Sequence, residues 1–128
     1  MSGICGLHHI ALLCSDESRS KVFYEQLGFT VTARHERSER GDVILMMRGY
    51  GTTLELFCDA KHPPRPTSPE AFGLRHLALR VDKGALDVVT DRLRAAGYCP
   101  EEPRFDSFTH EAMTFVKDPD GLPIELHE

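Results

Sequence analysis

The chain repeats itself. Leu7-His8-His9-Ile10-Ala11-Leu12 returns in the second half as Leu74-Arg75-His76-Leu77-Ala78-Leu79. Leu27-Gly28-Phe29 returns as Ala96-Gly97-Tyr98, and Leu54-Glu55-Leu56 returns as Ile124-Glu125-Leu126. Each match is short, but three in one order at nearly one offset define a duplicated module of about 60 residues, with the drift taken up in loops. Whatever the first half folds into, the second half folds into as well.

Each module reads as strand, helix and three strands. The opening strands alternate apolar residues over 7–14 and 74–81. Ser18 to Leu27 places Val22, Phe23 and Leu27 on one helix face, and Leu86 to Ala96 does the same with Val89, Leu93 and Ala96. Asp16 and Asp82 stand where caps belong, and Gly28 and Gly97 stand where the helices stop. Strands follow at about 29–37, 42–48 and 52–58, and again at about 98–104, 111–117 and 122–127. Arg40-Gly41-Asp42 and Asp118-Pro119-Asp120-Gly121 supply turn chemistry. The expected architecture is α+β: two βαβββ modules, about 5–59 and 73–128, forming one domain over 1–128. Its curved mixed sheet would surround a shared site. The stretch between them, about 60–72, includes His62-Pro63-Pro64-Arg65-Pro66 and reads as a stiff linker without helix or strand.

Bulk properties narrow the partners. With 128 residues and 41% hydrophobic content the chain can build a core, and its formal charge of −5 shows no basic patch for nucleic acid. Apolar runs are strand-length, so no membrane span is expected. Met1-Ser2-Gly3-Ile4-Cys5 lacks the basic-then-apolar layout of an export signal. Cys5, Cys14, Cys58 and Cys99 are too scattered for a zinc knuckle, and read as reduced thiols in a cytoplasmic protein.

Strand alternation then selects residues. His9, Ala11 and Leu13 share one face, opposite Ile10, Leu12 and Cys14; His76, Ala78 and Arg80 repeat this opposite Leu77, Leu79 and Val81. On the last strands, Thr53, Glu55 and Phe57 oppose Leu54 and Leu56, while Pro123, Glu125 and His127 oppose Ile124 and Leu126. Each module therefore carries one His and one Glu in otherwise apolar strands, on the face away from the helix. A carboxylate there is expensive to bury without a partner. Two neutral His and two Glu carry charge −2, which neutralises a divalent cation, and mixed imidazole and carboxylate donors suit zinc, nickel, cobalt, iron(II) or manganese. A pseudo-two-fold arrangement would bring all four to one point. A lone strand His or Glu is ordinarily structural or solvent-facing, but recurrence of both types at both places favours ligands. His8, whose repeat position holds Arg75, is expected to face outward, and His35, His62 and His110 read as surface residues. His127 shares the face of Glu125 and is a candidate pocket residue. Asp118 to Gly121 lacks the ligand spacing of a calcium loop and reads as a tight hairpin.

These segments, with Phe23-Tyr24-Glu25-Gln26-Leu27-Gly28-Phe29 and Asp118-Pro119-Asp120-Gly121-Leu122-Pro123-Ile124-Glu125-Leu126, resemble the vicinal oxygen chelate superfamily over nearly the whole chain. Within it the chain is similar to the short glyoxalase-I-like proteins, whose ligands run His, Glu, His, Glu, here His9, Glu55, His76 and Glu125. Glu55 sets it apart from epimerase-like members, which usually carry Gln there. It also sets it apart from the fosfomycin-resistance and extradiol dioxygenase members, which use three ligands. The resemblance implies a metal-dependent lyase or isomerase that moves a proton next to a carbonyl. It implies one divalent ion (nickel, cobalt or zinc, with iron or manganese as further options), Glu125 as base and Glu55 as its symmetric partner. Each module's exposed, ligand-bearing sheet face needs a partner module, from the same chain or a second one, and a homodimer is expected. Glyoxalase I enzymes place an Arg and an Asn, for gripping glutathione, where Leu13 and Asp59 stand here. A smaller anionic α-hydroxy or α-keto compound is therefore expected to serve better than the glutathione adduct, contacted by Arg80, His127, Phe57 and Leu13. The alternatives are a metal-dependent dioxygenase and a small-molecule or antibiotic-binding protein without turnover.

Overall fold

The computed structural model describes residues 2–128; Met1, part of the segment read above for an export signal, lies outside them. The chain divides into two compact units, Met1–Pro64 and Arg65–Glu128, the division falling inside the proline-rich stretch. Residues 62–69 form neither helix nor strand.

In the first unit β1 (Ile10–Cys14) leads to α1 (Glu17–Gln26), then β2 (Thr30–Arg37), β3 (Asp42–Gly49) and β4 (Thr52–Cys58). The sheet order is β1-β4-β3-β2, with β1 parallel to β4 and the other pairs antiparallel. A register shift between Val31 and Ala33 interrupts the β2–β3 ladder. The second unit repeats the plan with β5 (Leu77–Arg80), α2 (Leu86–Ala95), β6 (Arg104–Phe105), β7 (Ala112–Lys117) and β8 (Pro123–His127), in the order β5-β8-β7-β6. Here β5 is parallel to β8. The fold is α+β, two βαβββ units each with a mixed four-stranded sheet.

The period-two pattern decides which sheet face is buried. In the first unit Leu12, Cys14, Leu54, Leu56 and Cys58 are buried, with Leu45 and Met47 from β3, while Ala11 and Leu13 are exposed. In the second, Thr114, Val116, Ile124 and Leu126 fill the same role. Burying one such side chain contributes roughly 1.5–3 kcal/mol. The helix faces are rotated from expectation. Helix α1 buries Ser20, Phe23, Tyr24 and Leu27, whereas Val22 is exposed; α2 buries Leu86, Thr90 and Leu93, whereas Val89 is half-buried and Ala96 exposed. Tyr24 takes the place assigned to Val22, since its ring packs edge-on against Phe23 and Phe29.

Helix α1 starts as expected: the Asp16 side chain accepts from the Arg19 N–H at 2.9 Å. Helix α2 does not use Asp82. Its N-cap residue is Ala85, without a side-chain cap bond, and the Leu86 N–H donates to the Glu128 carboxylate at 3.0 Å. The strand expected at 98–104 shrinks to Arg104–Phe105. Ahead of it, Glu101 still ties to β7: its N–H donates to Phe115 O, and its carbonyl accepts the Thr114 hydroxyl. At Asp118–Gly121 the expected hairpin forms. Asp118 Oδ1 accepts the N–H groups of Asp120 and Leu122, which engages this oxygen in the turn itself.

Candidate metal centre

The parallel pairing of first and last strand places each His beside its Glu. In the first unit Ala11 pairs with Glu55 on β4, and in the second Ala78 pairs with Glu125 on β8. His9 and His76 each sit one residue ahead of the paired strand rather than in its middle, because the ladders begin at Ile10 with Leu54 and at Leu77 with Ile124. They still keep the strand's face, two residues before Ala11 and Ala78.

His9 Nε2 lies 3.0 Å from Glu55 Oε2, and His76 Nε2 lies 3.4 Å from Glu125 Oε1. Both carboxylates are mostly covered, with side-chain exposures of 20% and 14%. The same ring nitrogen faces the carboxylate in both units. Two donors about 2.1 Å from one ion, roughly 90–110° apart as seen from it, are themselves about 3.0–3.4 Å apart. The observed separations fall in that range, so each pair fits one edge of a metal's coordination shell. Among the described residues, no three or more His, Cys, Asp or Glu side chains gather as a group that could hold an ion. Each unit supplies a pair.

The surroundings of the two pairs differ. His9 Nδ1 lies 2.9 Å from His8 Nδ1, with the two rings edge to face. His8, expected to face outward, is exposed but also steadies the ring of its neighbour, the role a hydrogen-bonding partner plays behind a ligating imidazole. His76 packs edge-on against Phe115 at 5.2 Å, and Phe115 is also the β7 register partner of Glu125. Neither contact followed from the repeat, because the halves differ at these places. The register of a β7–β8 hairpin around Asp118–Gly121 is the signal that would have found Phe115.

The remaining candidates are dispersed. Leu13 is 59% exposed on the face of His9. Phe57 is half-buried, with the Arg37 guanidinium 5.3 Å above its ring. Arg80 is exposed and pairs in register with His127. The His127 ring is occupied at both nitrogens: Nε2 meets Thr109 Oγ1 at 2.9 Å and Asp106 Oδ2 at 3.5 Å, and Nδ1 meets Glu128 O at 2.7 Å. The N–H groups of Phe108 and Thr109, with His127 beside them, hold the Asp106 carboxyl below its usual value. Asp59 is drawn into its own turn, its carboxylate accepting the Lys61 N–H. His35, His62 and His110 are exposed. Cys14 and Cys58 are buried, Cys5 and Cys99 exposed, and none forms a disulfide. No helix among the described residues is long and apolar enough to cross a membrane.

The repeated βαβββ unit, with first and last strands parallel, is shared with a recognised family. Residues 6–126 match the model of the glyoxalase/bleomycin resistance protein/dioxygenase superfamily, and the chain belongs to that superfamily. It is 45% identical to the uncharacterised protein YwkD of Bacillus subtilis over 95% of both chains. The crystal structure of a glyoxalase family protein from Enterococcus faecalis is 43% identical, with a TM-score of 0.89 over 96% of this chain and 97% of that one. At lower identity the fold alone is shared. A Listeria monocytogenes fosfomycin resistance protein, solved with Mn(II), is 18% identical with a TM-score of 0.74 over 97% of this chain and 92% of that one. An Agrobacterium tumefaciens lactoylglutathione lyase is 19% identical with a TM-score of 0.72 over 99% and 96%.

Proposed function

We propose that this protein is a metal-dependent lyase or isomerase of the glyoxalase I type, and that His9, Glu55, His76 and Glu125 together hold one divalent ion. The observation that carries the proposal is the doubled pair: His Nε2 against a Glu oxygen at 3.0 and 3.4 Å, at equivalent register positions of both sheets. Manganese in the fosfomycin resistance protein of the same fold supports a divalent ion. Nickel, cobalt and zinc suit the His and Glu donors equally well. When bound, such an ion supplies Lewis acidity toward two vicinal oxygens and so acidifies the adjacent C–H. His9 and His76 present neutral imidazole to it, each ring steadied by a neighbour, His8 or Phe115. Glu125 takes the proton from the carbon and returns it to the neighbouring carbon, and Glu55 is its counterpart in the first unit. Phe115 and the apolar strand residues around Glu125 limit water at that carboxylate, favouring transfer to carbon over exchange with solvent. The catalyst is expected to act as a cytoplasmic homodimer.

Metal analysis of the purified protein, followed by proton-exchange assays on hemithioacetals of several thiols and on small α-hydroxy ketones, tests this. One tightly bound divalent ion is expected, with His76→Ala losing most of it. Glu125→Gln, saturated with metal, should exchange at least about a hundredfold more slowly, as befits loss of a general base. Wild-type protein that takes up no divalent ion, or a Glu125→Gln variant as active as wild type, overturns the proposal.

A further inference from the structure

The second unit carries an open groove of about 650 Å³ whose wall includes His76 and Phe115. Five charged side chains line it: Arg75, Arg104 and Lys117 against Glu70 and Glu101. The local balance is one positive charge, on a chain whose formal charge is −5.

Comparison with an arginine of the first unit shows how open these cations are. Arg37 on β2 and Arg104 on β6 lie on the corresponding edge strands of the two sheets, at positions that are not equivalent in register. Both guanidinium groups sit over an aromatic ring, Arg37 at 5.3 Å from Phe57 and Arg104 at 5.7 Å from Phe115. There the likeness ends. Arg37 is closed by a two-pronged pair with Asp42, at 2.8 and 2.5 Å, and its side chain is only 25% exposed. Arg104 has a single contact of 3.3 Å to Glu101, with both side chains more than half exposed, an ion pair worth little in water. Lys117, two residues from Phe115 on the same strand face, takes part in no ion pair among the described residues. Of the three cations in the groove, Arg75 pairs with Glu70 at 2.9 Å, while Arg104 and Lys117 are the more open, Arg104 beside the ring that braces His76.

We infer that Arg104 and Lys117 form a subsite for a monoanionic carboxylate of the substrate, separate from the oxygens that face the His and Glu pairs. The inference rests on the proposed metal-dependent reading for its word substrate, and deepens it. The substrate class is a small compound with vicinal oxygens at one end and a carboxylate at the other. The Arg104 guanidinium lies 5.7 Å from the Phe115 ring centroid, and its planar fork can donate to both oxygens of a carboxylate. One net positive charge suits a monoanion, and Glu70 and Glu101 disfavour a dianion such as phosphate. Arg80, the cation on β5 that strand alternation singles out, does not line this groove.

The test separates this subsite from the metal. Butyrate and its uncharged match butyramide are titrated into the full chain, before and after chelator treatment, following backbone amide signals by NMR. Metal content is measured independently. Butyrate is expected to saturate with shifts centred on Arg104, Phe115 and Lys117, with or without metal, and butyramide to bind at least about tenfold more weakly. Arg104→Gln and Lys117→Gln should each weaken butyrate roughly tenfold, the effect of losing one charge-assisted contact, while retaining metal and a wild-type spectrum elsewhere. Arg104→Lys controls for folding and should recover part of the affinity. Butyrate and butyramide binding alike, unchanged affinity in both Gln variants, preference for inorganic phosphate, or a loss confined to Arg80→Gln each overturns the subsite. Failure to bind metal overturns the functional proposal instead, and leaves the butyrate result to be read by itself.

Discussion

At the residue scale, duplication makes the molecule its own control. Gly28 and Gly97 end the two helices at φ values of +99° and +95°, where a β-carbon is strained by roughly 1–2 kcal/mol. Around Gly97 nothing lies within 4 Å of where that carbon would go, whereas at Gly28 it would fall on the hydroxyl of Tyr50, which donates to Leu27 O. Gly97→Ala should therefore cost only the backbone strain, about 1 kcal/mol in urea unfolding, and Gly28→Ala measurably more. In a Tyr50→Ala background the two substitutions should cost the same. Equal costs in the wild-type background would show that Tyr50 swings aside freely. The two glycines were legible in the sequence because a helix stop is local. The His and Glu pairs were legible because a period of two fixes their face. His8, Phe115 and Arg104 were not, since what a ring or guanidinium touches depends on rotamers and on strands distant in sequence.

At the element scale, the two helix starts show how far local reading reaches. Asp16 caps α1 from its own segment, so Asp16→Ala should cost about 1 kcal/mol. Asp82→Ala should cost much less, because α2 is capped from the far end of its unit by Glu128. No local pattern encodes that bond, just as none revealed that the strand expected at 98–104 shrinks to Arg104–Phe105. The cap also carries a pH signature. The N–H groups of Gly84 and Leu86 hold the Glu128 carboxyl below its usual value. A group whose folded value is depressed adds stability above its unfolded pKa and loses it as pH falls through the folded one. Wild type should therefore melt higher than Glu128→Gln at neutral pH. The gap should close progressively from about pH 4.5 downward. A gap that persists in strong acid would assign the effect to packing.

At the scale of the whole molecule, the proposed four-ligand centre makes a claim that single pairs do not. If both pairs serve one ion, His9→Ala and His76→Ala each abolish the metal-dependent rise in melting temperature. If each pair binds independently, each variant keeps half the metal. At a hundredfold excess over Kd a ligand adds about 2.7 kcal/mol to stability, so the difference is easy to resolve by calorimetry. The parallel pairing of first and last strands has a kinetic side as well. His9 reaches Glu55, and His76 reaches Glu125, from opposite ends of a unit's chain. Such pairs close only when a unit's helix and inner strands are already threaded between them, since parallel neighbours require a crossover connection. Metal should therefore leave the refolding rate nearly unchanged and slow unfolding by almost its full binding energy, as expected for contacts absent from the transition state. The ion would act as a clasp shut last and opened first, setting how long a molecule persists rather than how quickly it forms.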